Sequence, residues 1–150
     1  MYKILLVEDI DLIRRDILEM INWAACGYQI TADVRNGEQG LSAYRKEPAD
    51  IVITDIKMPG ISGLDLIRQI KLQGTEVQTV IISGFKNFDY AKQAIALGVE
   101  DYITKPIHPE ELKNTLYRIR NTCWQEASME GRFRMEKAMR SRDETYLKER

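Results

Sequence analysis

"IVITDIKMPG", Ile51 to Gly60, decides the fold. Ile51, Val52 and Ile53 form a β-branched apolar run that ends at Thr54 and Asp55, and a Lys-Met-Pro-Gly turn follows. A run that is apolar on both faces suits a strand covered on both sides, as in a parallel sheet between two helix layers. Such a strand has no packing use for a carboxylate at its end, because a buried charge is costly unless it has partners. Asp55 therefore demands company, and the rest of the chain shows where it comes from.

Outward from this strand, short apolar runs alternate with longer segments of helical period. "KILLV" (Lys3–Val7) is a continuous apolar strand, and "IDLIRRDILEMINWA" puts Ile13, Ile17, Met20, Ile21 and Ala24 on one helical stripe. A weaker strand around residues 28–34 precedes a short helix carrying Leu41 and Tyr44. After the Asp50–Thr54 strand comes "SGLDLIRQIKLQG", with Leu64, Ile67 and Ile70 inward, Ser62 as N-cap and Gly74 as stop. Val77–Ser83 is a fourth strand. The next helix, "NFDYAKQAIALG", turns Ala91, Ala94 and Ile95 inward and ends at Gly98. Val99–Thr104 is the fifth strand, and Pro109 opens a last helix that buries Leu112, Leu116 and Ile119. Five βα units make an α/β fold, a doubly wound five-stranded parallel sheet of flavodoxin-like order 2-1-3-4-5 with right-handed crossovers.

Composition narrows the function classes. The 150 residues are 44% hydrophobic, enough for one ordinary core. A formal net charge of −1 argues against gripping nucleic acid through bulk charge. No apolar run reaches the length of a membrane span, and the N-terminus meets Glu8 too early for a secretory leader. Cys26 and Cys123 are far apart with no metal-ligand spacing, which fits reduced packing cysteines and a cytoplasmic location.

The polar residues fall on one edge. Glu8 and Asp9 follow the first strand, Asp55 the third, Ser83 ends the fourth, and Lys105 follows the fifth. In a parallel sheet all these positions share the C-terminal rim, where ligands bind at the point at which strand order reverses. Three carboxylates together repel one another. A divalent cation with hard oxygen ligands, Mg²⁺, removes that conflict and leaves coordination positions for a phosphoryl oxygen. Lys105 supplies an ammonium and Ser83 a hydroxyl for the same oxygens. The set describes a phosphoryl-transfer site in which Asp55 is the nucleophile and becomes an acyl phosphate. Bland readings stand beside it: Asp55 as a strand-end turn residue, Glu8 and Asp9 as helix caps, and Tyr102 as a packing residue. Asp11 is the better cap for the first helix, which frees the acidic pair. His108, the sole histidine, reads as a solvated loop residue.

"LLVED", "DIVITDIKMPGISGLDL", "VIISG" and "EDYITKP" resemble the signature segments of bacterial response-regulator receiver domains, over residues 2 to about 120. The resemblance implies that Glu8 and Asp9 are the metal-binding pair, Asp55 the phosphoacceptor and the Lys57 backbone carbonyl a third protein ligand to Mg²⁺. It makes Ser83 the switch hydroxyl, Tyr102 the switch aromatic and Lys105 the phosphate-contacting lysine, with Lys105–Pro106 a cis peptide. Glu8 stands where many relatives carry Asp, and its longer side chain reaches the metal directly or through a water. The implied partner is a sensor histidine kinase, and the implied response is a change in the helix 4–strand 5–helix 5 surface that favours pairing with a partner or with a second copy, a homodimer formed there or through the C-terminal helix. Two rivals fit less well. An aspartyl-phosphate phosphohydrolase needs an acid two residues after the nucleophile, where Lys57 stands. A flavodoxin needs a phosphate loop after the first strand, where two carboxylates stand.

The division expected is a receiver domain over 1–123 and a helical linker over 124–150. The latter mixes acids and bases without a second core, and Gly131 weakens its helix. It fits a solvated linker and a dimerising helix equally. Receivers similar to this one often precede an AraC-type helix-turn-helix domain, which implies a DNA-binding output outside this chain. The alternative is a stand-alone receiver acting through protein–protein contacts.

Overall fold

The computed structural model describes residues 1–73, 76–84 and 87–121. Its elements run in strict alternation: β1 (Tyr2–Val7), α1 (Asp11–Met20), β2 (Tyr28–Val34), α2 (Gly37–Lys46), β3 (Ile51–Thr54), α3 (Gly63–Lys71), β4 (Gln78–Ser83), α4 (Phe88–Ala96) and β5 (Asp101–Thr104). A further helix, α5, covers 109–121, with Pro109 as its first residue. The five strands form one parallel sheet in the expected order β2-β1-β3-β4-β5. Backbone proximity groups Met1–Lys113 as one compact unit. A second unit spans Asn114–Arg150, in which 114–121 are described and helical. The expected 124–150 linker, Cys123 and the Gly74 stop lie outside the described residues.

The three central strands are covered on both faces. Ile4 to Val7, Ile51 to Thr54 and Thr79 to Ser83 are all buried. On one face Leu5, Val7 and Val52 pack against Leu41 and Tyr44 of α2 and Leu66 and Ile70 of α3. Further along the sheet Ile81 packs with Ile56, Leu64, Ile67 and Ala94. Strand alternation sends Ile4, Leu6 and Ile53, all essentially unexposed, to the opposite face. Each such side chain contributes about 2 kcal/mol of burial.

Helix ends follow local chemistry. Ser62 caps α3 by accepting from the Asp65 N–H at 3.1 Å, as expected. Gly98, at φ +72°, ends α4. Three expectations need correction. Asp11 does not cap α1: Ile10 is the cap residue and offers no side-chain bond, while Asp11 sits in the first turn. The helix also stops at Met20 and leaves Ala24 exposed. There the buried Trp23 turns back and its indole N–H donates to the Leu18 carbonyl at 3.0 Å, satisfying a last-turn acceptor. Ile95 is 79% exposed. The inward stripe of α4 runs through Tyr90, Ala94 and Leu97, and Ile95 lies about a hundred degrees further round.

Candidate functional site

Register builds the site. Val7 pairs with Thr54, Thr54 with Ile81, and Ser83 with Thr104. The residues that follow β1, β3 and β5 therefore emerge side by side. The Asp55 N–H still reaches the Val7 carbonyl at 3.2 Å, and the Lys105 N–H the Ser83 carbonyl at 2.9 Å. The Lys105–Pro106 peptide is cis.

Lys105 closes the arrangement. Its Nζ donates to Glu8 Oε1 at 2.6 Å and to Asp55 Oδ2 at 2.8 Å, joining positions 97 and 50 residues away in sequence. The other Asp55 oxygen, Oδ1, accepts from the Ile56 N–H at 2.7 Å, and Glu8 Oε2 accepts from the Ile10 N–H at 3.2 Å. Glu8 and Asp55 are buried and Asp9 is partly buried. One oxygen from each of these three carboxylates lies within 4.8 Å of the others. Burial pushes the Glu8 carboxyl above its ordinary value, against the opposing pull of Lys105. Burial alone would lower the Lys105 ammonium, yet the hydrogen bonds to Asp55 and Glu8 outweigh it and the net shift is upward. Two buried carboxylates sharing one ammonium, with a third beside them, leave negative charge to spare. Hard oxygen donors at this spacing fit a small divalent cation.

Of the other residues singled out by sequence, Ser83 is fully buried at the end of β4, one strand from Asp55. Lys57 has an exposed side chain on the segment directly after Asp55. Tyr102 is half-buried and packs on the Ile81–Ala94 cluster, under α4. His108 is exposed, as expected.

Two further side chains support the site. Arg14 donates to the Glu8 carbonyl at 2.8 Å and to Asp11 at 2.8 Å, and lies 3.4 Å from Asp33. It thereby pins the acidic loop after β1. Glu38, at the start of α2, accepts from the Ile61 N–H at 2.9 Å. Neither role has a sequence signal, since both side chains look like ordinary charges on amphipathic helices.

Known proteins fit this geometry. Residues 4–117 match the response regulator receiver domain family. Over 119 residues the chain is 36% identical to the uncharacterized transcriptional regulatory protein YesN of Bacillus subtilis, covering 79% of this chain and 32% of that protein. Over 132 residues it is 31% identical to the transcriptional regulatory protein HptR of Staphylococcus aureus, covering 88% and 52% respectively. The chain thus spans roughly a third to a half of these relatives. Among solved structures it resembles the receiver domain of AraT, a response regulator from Geobacillus stearothermophilus. That likeness has a TM-score of 0.79 at 29% identity and covers 84% of this chain and 98% of that one. The sheet order, the lysine-bridged acids and these matches agree: the chain belongs to the response regulator receiver-domain family of two-component signalling.

Proposed function

We propose that Asp55 accepts a phosphoryl group from a sensor histidine kinase, with Mg²⁺ bound, and that the aspartyl phosphate changes the α4–β5 surface. The observation that carries this reading is Lys105 bridging Glu8 and Asp55 beside Asp9. Glu8, Asp9, Asp55 and the Lys57 backbone carbonyl would hold the cation. When bound, it offsets charge on the carboxylates and on the incoming phosphoryl oxygens.

The chain's own residues supply the rest. Asp55 Oδ2, the oxygen facing Lys105, attacks phosphorus as the donor's nitrogen leaves. The Ile56 N–H fixes the carboxylate through Oδ1, so the attacking oxygen is already aimed. Lys105 follows the charge, exchanging its Asp55 contact for a phosphoryl oxygen. The Ser83 hydroxyl, buried at the neighbouring strand end, donates to another. Tyr102, half-buried beneath α4, moves toward the space Ser83 leaves, and that movement transmits the change. The phosphoryl group shifts the equilibrium only through contacts that differ between the two states.

The relatives' names support transcriptional regulation as the output, exerted through a DNA-binding domain, AraC-type by resemblance, outside these 150 residues. The receiver would occupy 1–123, and 124–150 would lead toward that output. A phosphoacceptor role is favoured over a hydrolase, because Lys57 stands where a hydrolase places its general acid.

Incubation with acetyl phosphate and Mg²⁺, read by intact mass, tests the assignment. The wild type should gain one phosphoryl group and Asp55→Asn none. Incorporation that survives this substitution overturns it.

A further inference from the structure

Residues 56–62 lead from Asp55 at the end of β3 into α3, and of them only Ile56 is buried. The ends of this segment are held by the sheet and by α3. At its far end the Gly63 N–H donates to the Ile56 carbonyl at 2.9 Å, and Gly63 lies so close to Asp55 that a Cβ there would overlap the Asp55 carbonyl oxygen. The middle is held from elsewhere. Gly60 adopts φ +84°, and the space a side chain would need is filled by the Glu38 carboxylate. Glu38 Oε1 accepts from the next N–H, that of Ile61, at 2.9 Å. Gly37, beside it, fits against the Ile61 side chain and carbonyl.

The support is itself fixed. Asn36 Oδ1 accepts from the Gln39 N–H at 2.8 Å, and Gln39 Oε1 accepts from the Arg35 N–H at 3.0 Å. The Asn36 cap and the Gln39 bond to the preceding residue together fix the first turn of α2, on which Glu38 rides. The Ile61 N–H in turn holds the Glu38 carboxyl below its ordinary value, as a bond to the charged form should.

We propose that Glu38 is a positioning residue for the Asp55 site: from α2 it holds the Gly60–Ile61 backbone so that the Lys57 carbonyl faces the Glu8–Asp9–Asp55 cluster. The inference rests on the metal reading given above and adds to it a residue from an element that contributes no ligand. The rival is a plain charge effect, in which an acid near the site attracts the cation or favours the start of α2. Glutamine separates the two, since its side-chain oxygen reaches as far and accepts the same bond without the charge.

Two measurements on wild type, Glu38→Gln and Glu38→Ala decide the matter: Ile61 amide exchange in divalent-free buffer, and the Mg²⁺ dissociation constant by calorimetric titration. Glu38→Ala should speed exchange at Ile61 and weaken Mg²⁺ binding about fivefold, the worth of one net hydrogen bond. Glu38→Gln, which keeps the acceptor but loses the charge assistance, should fall between wild type and Glu38→Ala in both and clearly closer to wild type. Equal weakening by Gln and Ala, or a dissociation constant that Ala leaves unchanged, overturns the role of Glu38 while the metal site stands. A wild type that takes up no Mg²⁺ overturns the metal reading and this proposal together.

Discussion

Lys105 and Glu8 show how one buried pair divides its costs. The ammonium gains two carboxylates and its pKa rises despite burial, whereas Glu8 gains half an ammonium and its pKa rises because of burial. The sign for stability follows. A carboxyl raised in the folded state favours folding in its protonated form. That contribution is complete below the ordinary value of 4.5 and is lost as pH rises through the raised value. Glu8→Gln holds the neutral form at every pH. In divalent-free buffer its melting temperature, relative to wild type, should climb from pH 4.5 toward neutrality. Mg²⁺ added near neutral pH should shrink or reverse that gap, because ligand binding stabilises the wild type more. A gap that does not change with pH would show that Glu8 ionises as easily in the fold as in the unfolded chain.

At the scale of elements, the site depends on how closely α3 approaches the end of β3. Gly63→Ala places a Cβ on the Asp55 carbonyl oxygen, a backbone atom that no rotamer change can move aside. The expected cost is about 3 kcal/mol, seen as a fall of roughly 10 °C in melting temperature. Gly84→Ala, where among the described residues nothing lies within 4 Å, should cost far less. Equal losses in the two variants would show that the α3 approach is not what makes Gly63→Ala costly, because the chain-entropy effect of a Gly→Ala change alone is stabilising. The elements themselves were legible because strand runs such as Ile51–Thr54 are too short and too uniformly apolar for helices, and because Ser62 and Gly98 mark their helix ends. The end of α1 was not legible, since Trp23 closes it through a side-chain bond that has no periodic signature. Nor was the face of α4: Ala91–Ala94–Ile95 and Tyr90–Ala94–Leu97 both satisfy helical spacing, and only the cluster around Ile81 decides between them.

For the molecule as a whole, parallel topology made the acidic cluster readable, since five strand ends on one rim leave little freedom over where Glu8, Asp55 and Lys105 meet. Arg14 and Glu38 escaped notice because their importance lies in backbone groups they touch, 6 and 23 residues away. The exposed side of α4 is apolar in places. Phe88 and Ile95 are 80% and 79% exposed and seven residues apart, so they share one side of the helix. Large apolar groups aligned in this way mark a contact surface more often than scattered ones do. If phosphorylation brings two copies together there, mass in solution should double with beryllium fluoride and Mg²⁺, and Ile95→Glu should keep the protein monomeric. Because Ile95 buries little in the single chain, that variant should melt within about 2 °C of wild type and still accept phosphoryl at Asp55. A doubled mass that Ile95→Glu leaves intact moves the contact off α4. An unchanged monomer with beryllium fluoride would rule out pairing of two copies through α4 as the response.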